Sequence, residues 1–413
     1  MKILFACELV PHSSMGGLGK HAVILANRFI ELGHSVDFLC NADAASEENV
    51  LAMGFKGRLI SKPHLRIHWY VRKIENRAGV YLGAFHLAKA KRIARMITSI
   101  ASNYDAIHYH GHFPLIARYL PETINLTITH HDYSLICIHK TLMKNGGNPC
   151  RIESRVAQCS QCHGRFSYPL LRWITLDGVK KWRGNARLAI ERHKHIFVSR
   201  RLADVNLAVL GSVGHNISVI HNFIDCRRLR EIMDACDSEP RKGNKITRVF
   251  LANSIDPHKG IGVFLDVCRQ YRIFDGPIQI TVAGSGRDLE SLKVRFRDAP
   301  VRFLGFVPYE ECIRQHIVSD VFVLSSICEE SCSTGVLEAL FLSKDVRALR
   351  LGGTPEFDCY VESSKQLKLF DTLDEMALSF KTEPVFRSSH RLNSCFGSCV
   401  EDSAHKLMDV YLQ

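Results

Sequence analysis

The sequence predicts an α/β protein made of two successive Rossmann-like halves, and three observations carry that prediction. Apolar, strand-like runs alternate with segments of helical periodicity from the first residues onward. A polar stretch at 225–244 interrupts the alternation, which then restarts on a new strand. With 413 residues, 46% hydrophobic and 23% charged, the chain has length for two or three buried cores and the balance of an ordinary globular protein. It carries no low-complexity tract or fixed-period repeat, which excludes disorder and solenoids.

The elements follow in order. Residues 2–7 form a continuous apolar run suited to a central parallel strand, and a loop with Gly16, Gly17 and Gly19 comes next. Leu18, Ala22, Leu25, Ala26, Phe29 and Leu32 then recur at helical spacing, Gly33 ends that helix, and SVDFLC at 35–40 reads as the next strand. Further strands are expected at 106–111, 126–131, 195–199 and 217–222. The polar stretch, with Pro240 and Gly243 near its end, reads as a linker. Beyond it, strands are expected at 248–253, 278–284, 301–307 and 320–326, with helices beginning near Ile261, Asp288, Tyr309 and Ser333. The expected division is a first domain at 1–225 with a cysteine-containing insertion at about 133–186, a linker at 226–245 and a second domain at 246–397. A final helix at 398–413 packs back on the first domain. Open parallel sheets bind ligands at the carboxyl ends of their strands, so the chemistry is expected there, in a cleft between the halves.

The charge is asymmetric. Residues 1–240 hold 32 lysines and arginines against 19 acidic residues, a net of +13, while residues 241–413 hold 22 against 23, a net of −1. One half therefore suits an anionic partner, whether phospholipid, a phosphorylated acceptor or nucleic acid, with a solvated basic face as the plainer reading. The segment 85–100 sets Lys89, Arg92 and His86 beside Leu87, Ile93, Met96, Ile97 and Ile100, a pattern that fits either a membrane-surface helix or a helix packed on the sheet. The first residues lack the apolar core of an export signal, and no apolar run nears the ~18 residues of a membrane span, so a cytoplasmic protein is expected, at the inner face of the membrane if it docks there. Fifteen cysteines, spread from Cys7 to Cys399, then read as reduced thiols rather than a disulfide framework.

Glu330 and Glu338 stand eight residues apart after a buried strand. On one helix they would be separated by ~12 Å of rise, too far to act on one atom but suited to an elongated ligand. Between them Ser333 and Thr334 sit at an expected helix start, where unpaired N–H groups favour a phosphate. Cys137, Cys150, Cys159 and Cys162 form C-x12-C-x8-C-x2-C, an inventory sufficient for a tetrahedral structural zinc, with inert buried thiols as the competing reading. His108, His110 and His112 alternate along a strand and share one side of it.

In this setting the pattern Glu330-x7-Glu338 resembles glycosyltransferase family 4, the retaining group-1 transferases of the GT-B fold. The GGLG loop at 16–19, His131-Asp132, the segment 221–225, His258-Lys259-Gly260, Gly284-Ser285-Gly286 and the segment 351–356 match in the same order and cover nearly the whole chain. The resemblance implies two Rossmann-like domains facing across a cleft and a nucleotide-sugar donor as co-substrate, with no cofactor required. Glu338 would bond the donor ribose, Glu330 the transferred sugar, and Lys259 the diphosphate beside the amides near Ser333 and Thr334. Gly16, Gly17 and Gly19 would line the donor and acceptor cleft, Gly284 would belong to the donor site, and His131 would be catalytic together with Lys259 and Glu330. The implied pathway is assembly of a bacterial surface polysaccharide or lipopolysaccharide on a saccharide or lipid-linked acceptor. The sequence contains no D-x-D pair, which disfavours a metal-bridged diphosphate.

Two features depart from the family pattern. Ser254 stands where relatives commonly have an arginine, a charge that Arg287 would partly replace, and 342–350 replaces a usual glycine and Pro-Val strand. The competing functions are an epimerase of the same fold and a zinc-bearing nucleic-acid-binding protein. The latter is disfavoured because no reading helix or aromatic RNA-binding pattern is present.

Overall fold

The computed structural model describes residues 1–7, 17–40, 53–61, 73, 77, 80–144, 149–150, 158–159, 162, 168–212, 214–236, 246–388, 391–393 and 396–413. Gly16 and most of the basic segment 62–79 lie outside these residues. The chain divides into two compact units, one of residues 1–222 with 400–413 and one of residues 223–399.

The first unit is a parallel sheet with helices between its strands. In chain order it comprises β1 (Lys2–Ala6), α1 (Gly17–Glu31), β2 (Ser35–Cys40), β3 (Arg58–Ser61), α2 (Ala84–Thr98), β4 (Ala106–His110), β5 (Leu126–His130), α3 (Pro169–Ile190), β6 (Lys194–Phe197), α4 (Arg200–Leu210) and β7 (Ile217–Val219). The strand order β3-β2-β1-β4-β5-β6-β7 reverses between β1 and β4, which pair in parallel with Phe5 opposite His108. Burial of both sheet faces explains the unbroken apolar run of β1, where Ile3, Leu4 and Phe5 have no exposed surface. Ala22, Leu25, Ala26 and Phe29 form the buried stripe of α1, and Gly33, at φ 86°, ends that segment.

The second unit repeats the plan: α5 (Cys226–Asp234), β8 (Thr247–Ala252), α6 (Ile261–Gln270), β9 (Ile278–Ala283), α7 (Leu289–Arg295), β10 (Val301–Gly305), α8 (Tyr309–Val318), β11 (Val321–Leu324), α9 (Thr334–Phe341), β12 (Asp345–Leu349), β13 (Leu367–Phe370) and α10 (Leu373–Thr382). Its order β10-β9-β8-β11-β12-β13 reverses between β8 and β11. The last helix, α11 (Val400–Leu412), packs on α1 of the first unit, with Tyr411 2% exposed and its ring 5.7 Å from that of Phe29.

Two expectations need correction, and two points left open by the sequence are settled. Residues 226–234, expected as linker, are helical. Asp225 caps the helix by accepting from the Arg228 N–H at 2.9 Å, and Cys226, Leu229 and Ile232 bury one stripe under a charged face. The thiols are not all reduced, since Cys226 and Cys399 form a disulfide with Cα atoms 5.5 Å apart. There the chain enters and leaves the second unit, and the Ile224 N–H donates to Ser398 O at 3.1 Å. The apolar side of α2 faces inward, with Ala90, Ile93, Ala94 and Ile97 buried, so that side is the packed surface and not a membrane face. The charged segment 342–350 contains a buried strand. Asp345 and Arg347 have no exposed surface because they pair at 3.1 Å, while Lys368 and the Phe386 N–H also reach Asp345, at 2.9 and 2.7 Å.

Candidate functional site

In the second unit the polar side chains gather where its strand order reverses. Asn253 and Ser254 follow β8 directly, and Lys259 ends a short 3-10 turn, Pro257–Lys259. Ser325 and Ser326 follow β11, and Glu330 lies in the loop before α9. The two strand ends are adjacent because β8 and β11 pair, with Phe250 opposite Phe322. Lys259 Nζ donates to Glu330 Oε1 at 2.7 Å, and both side chains are less than a fifth exposed. Ser326 Oγ donates to the same oxygen, and Asn253 Nδ2 approaches it at 3.4 Å. Burial opposes the charge on each partner. Each charge is nevertheless favoured: the Glu330 pKa is lowered because Lys259 and the hydroxyl and amide donors outweigh burial, and the Lys259 pKa is raised because Glu330 does the same for it.

Backbone geometry fixes Glu330 as well. The Gly353 N–H donates to Glu330 O at 2.8 Å, and a Cβ on Gly352, at φ 61°, would fall 2.2 Å from that oxygen. Only glycine fits that approach. Ser333 is the N-cap residue of α9 and makes no side-chain capping bond, so no hydroxyl or carboxylate of the cap residue competes for the first-turn N–H groups. Glu338, in the next turn, is 8% exposed and accepts from Tyr309 Oη at 3.0 Å. His316 lies 3.8 Å from its other oxygen but stays neutral, its pKa lowered to about 3 by burial and then Lys344. Glu330 and Glu338 do not share a helix, because α9 begins at Thr334, so the spacing expected from helical rise does not apply to them. Gly284 follows β9 with φ 137°. Arg287 is peripheral, with a side chain 74% exposed and Nε 3.7 Å from Asp256.

The first unit gathers histidines at its own reversal point. His110 ends β4, His131 follows β5, and His21 lies in α1, one turn beyond Gly17 and next but one to the buried Gly19. One ring nitrogen from each histidine lies within 4.8 Å of the others, and His110 Nδ1 is 3.4 Å from His131 Nε2. Burial, followed by the opposing pull of Asp132, sets the His131 pKa at about 4, and burial pushes those of His21 and His110 well below the usual value. The cluster is therefore a set of neutral imidazoles, able to accept a proton or a hydrogen bond or to offer nitrogen to a metal. Of the three alternating histidines, His108 and His110 stay together, with ring centroids 4.0 Å apart, and His112 turns to Asp132. His108 bonds Tyr411 and Thr129, and His112 Nδ1 lies 2.8 Å from Asp132 Oδ2.

A sequence profile of glycosyltransferase family 4 matches residues 15–228, just over half of the chain, and a profile of the glycosyl transferases group 1 matches residues 246–378. The chain belongs to glycosyltransferase family 4. The amylovoran biosynthesis glycosyltransferase AmsK of Erwinia amylovora is 29% identical over 119 residues, 26% of this chain, and the match spans only 29% of the length of that relative. Among solved structures, HepE of Anabaena in complex with UDP and glucose superposes with a TM-score of 0.64 at 15% identity, covering 100% of both chains. TarM gives 0.66 at 10% identity, covering 100% of this chain and 99% of its own, and the lipopolysaccharide outer core galactosyltransferase WaaB gives 0.62 at 12%, with the same coverages. These likenesses establish the GT-B fold of two Rossmann-like domains for this glycosyltransferase.

Sequence reasoning singled out His110, and missed Asn253, Ser326, Tyr309 and His21 as members of these clusters. Asn253 and Ser326 had a readable signal, being polar residues directly after buried strands on either side of the order reversal. Tyr309 and His21 had none, since each is a helix residue whose partner comes from a distant segment.

Proposed function

We propose that this glycosyltransferase moves a sugar from a nucleotide-sugar, with retention of configuration and without a metal ion in the transfer step, to a saccharide or lipid-linked acceptor. The carrying observation is the arrangement in the second unit: a partly buried Lys259–Glu330 pair and a buried Glu338 bracket the first turn of α9, where the N-cap residue makes no side-chain capping bond. Lys259 has three donors and gives one to Glu330, so the ammonium has hydrogen-bonding capacity for a diphosphate, beside the amides near Ser333 and Thr334. As the sugar–phosphate bond breaks, negative charge grows on the leaving diphosphate, and a preorganised cation and helix amides stabilise it most at that moment. Glu338 would accept from the ribose hydroxyls and Glu330 from the hydroxyls of the sugar. Gly284 and the first-unit glycines Gly17 and Gly19 would leave room for close backbone approach, and His131 would be the catalytic group of the first unit. Arg287, exposed and 3.7 Å from Asp256, is a distant substitute for the arginine absent at Ser254.

The HepE complexes hold UDP or UDP-glucose, which supports a nucleotide-sugar donor here. AmsK is named for amylovoran biosynthesis and WaaB for the lipopolysaccharide outer core, which supports a place in bacterial surface polysaccharide assembly. No helix among the described residues is long and apolar enough to cross a membrane. A peripheral location at the inner membrane face is supported instead by the start of α3, where Tyr168, Leu170 and Trp173 are each more than half exposed beside Arg172.

A thermal-shift panel of UDP-, GDP- and ADP-sugars tests the donor assignment, since a ligand that binds only the folded state raises Tm. One nucleotide class is expected to raise Tm, with nucleotide release depending on added acceptor. Conversion of the donor into an isomeric nucleotide-sugar without acceptor would instead indicate an epimerase, and no shift with any donor would refute the reading.

A further inference from the structure

Three histidine rings of the first unit converge from separate elements, and their spacing suits more than proton transfer. One nitrogen from each of His21, His110 and His131 lies within 4.8 Å of the others, and His110 Nδ1 stands 3.4 Å from His131 Nε2. A tetrahedral ion that takes imidazole nitrogens at about 2.0 Å holds them about 3.3 Å apart. The His110–His131 pair is thus already at ligand spacing, and the His21 side closes by no more than about 1.5 Å on binding.

The surroundings single out these three rings. His110 is held by its neighbours, stacked on Phe5 with centroids 5.2 Å apart and planes 8° from parallel, with the His108 ring centroid at 4.0 Å. Its Nε2 is buried and, among the described residues, has no hydrogen-bond partner. An orphaned polar atom in the interior calls for a further partner, an ordered water or an ion. His108 does not compete as a ligand, because Tyr411 and Thr129 occupy its two nitrogens, and His112 is taken up by Asp132. His21 and His131 are only half-buried, so an ion can enter, and three protein ligands leave one position open.

We propose that His21, His110 and His131 form a three-imidazole site for a divalent transition-metal ion, zinc above all. A donor set of nitrogen alone suits zinc and excludes magnesium and calcium, which take oxygen. The ion occupies the lone pair that a catalytic His131 would use. On the proposed role of His131, the metal-bound enzyme is therefore the inactive form.

The test is cobalt titration of the full-length protein after removal of metal, with X-ray absorption of its zinc form. About one ion per chain is expected, with nitrogen neighbours at about 2.0 Å and no sulfur-to-metal charge-transfer band. His21→Ala and His110→Ala should bind at least about tenfold more weakly, the loss that even an outer-sphere partner causes, and His405→Ala, exposed on α11, should bind as wild type does. No retained cobalt, sulfur neighbours at about 2.3 Å, or undiminished affinity in His21→Ala would each overturn the site. Should His110→Ala fail to fold, the wild-type absorption and His21→Ala still decide. Zinc is also expected to stop sugar transfer, and a chelator to restore it. Transfer that persists in zinc-loaded wild type but is lost in metal-free His131→Ala would overturn the inhibitory role. Transfer that survives in metal-free His131→Ala would instead strike the proposed role of His131 and leave the site standing.

Discussion

Lys259 and Glu330 each make the other's buried charge tolerable. Removing one leaves the other desolvated, so Lys259→Ala is expected to destabilise the second unit by about 3 kcal/mol. Adding Glu330→Gln should recover much of that loss, because the stranded charge goes with it, and urea unfolding of the single and double variants measures both effects. The sequence singled out both residues by the segments they occupy but not their pairing, which joins positions 71 apart through adjacent strand ends. Arg287 illustrates the opposite limit. Its place after a glycine turn was legible, but its 74% exposure follows only from the packing around it.

Helices and strands with a clean period were legible, and those whose burial depends on paired charges were not. The apolar run of β1 and the stripe of α1 announce themselves, whereas β12 hides Asp345 and Arg347 in the interior by pairing them with each other, Lys368 and Ser379. Helix α5 escaped notice because its three buried residues lie among arginines and acidic residues. The loop after β12 is fixed by Gly352, where an added Cβ would meet Glu330 O at 2.2 Å in a left-handed conformation. Gly352→Ala is therefore expected to cost about 2 kcal/mol of stability and to weaken donor binding by displacing Glu330. Thermal unfolding with and without donor separates the two effects.

Across the whole molecule, the two units should respond differently to acid. An unfolded histidine ionises near pH 6.5, whereas in the folded first unit burial lowers the pKa of His108 to about 3 and those of His131 and His195 to about 4. Between those values the unfolded chain binds more protons, so their contribution is complete above pH 6.5 and is lost as pH falls, at about 1.4 kcal/mol per pH unit for each independent histidine. In the second unit, of the described histidines, His316 alone is lowered as far, to about 3, so the same range costs that unit less, and the lowered pKa of Glu330 removes stability in the carboxylate range. All three tryptophans belong to residues 1–222, so their fluorescence should report unfolding of the first unit before circular dichroism reports the second. A Trp182 signal unchanged to pH 4 would contradict this. The charge asymmetry was visible in composition, but the surface proposed for membrane contact was not. Of the two readings of α2 the packed one holds, since its apolar side is buried, and the residues proposed for membrane contact, Tyr168, Leu170 and Trp173, are exposed at the start of α3. Vesicles rich in anionic lipid are expected to bind the wild-type chain and to lose affinity for Trp173→Ser, which co-sedimentation would show.

Donor titration by calorimetry, comparing wild type with Glu338→Ala, probes the proposed donor site itself. With the nucleotide-sugar that most raises Tm, the variant is expected to bind ten- to a hundredfold more weakly, as befits a lost hydrogen bond to a charged group. Affinity equal to wild type, in a variant that remains folded, would contradict the placing of the donor at the reversal point of the second sheet.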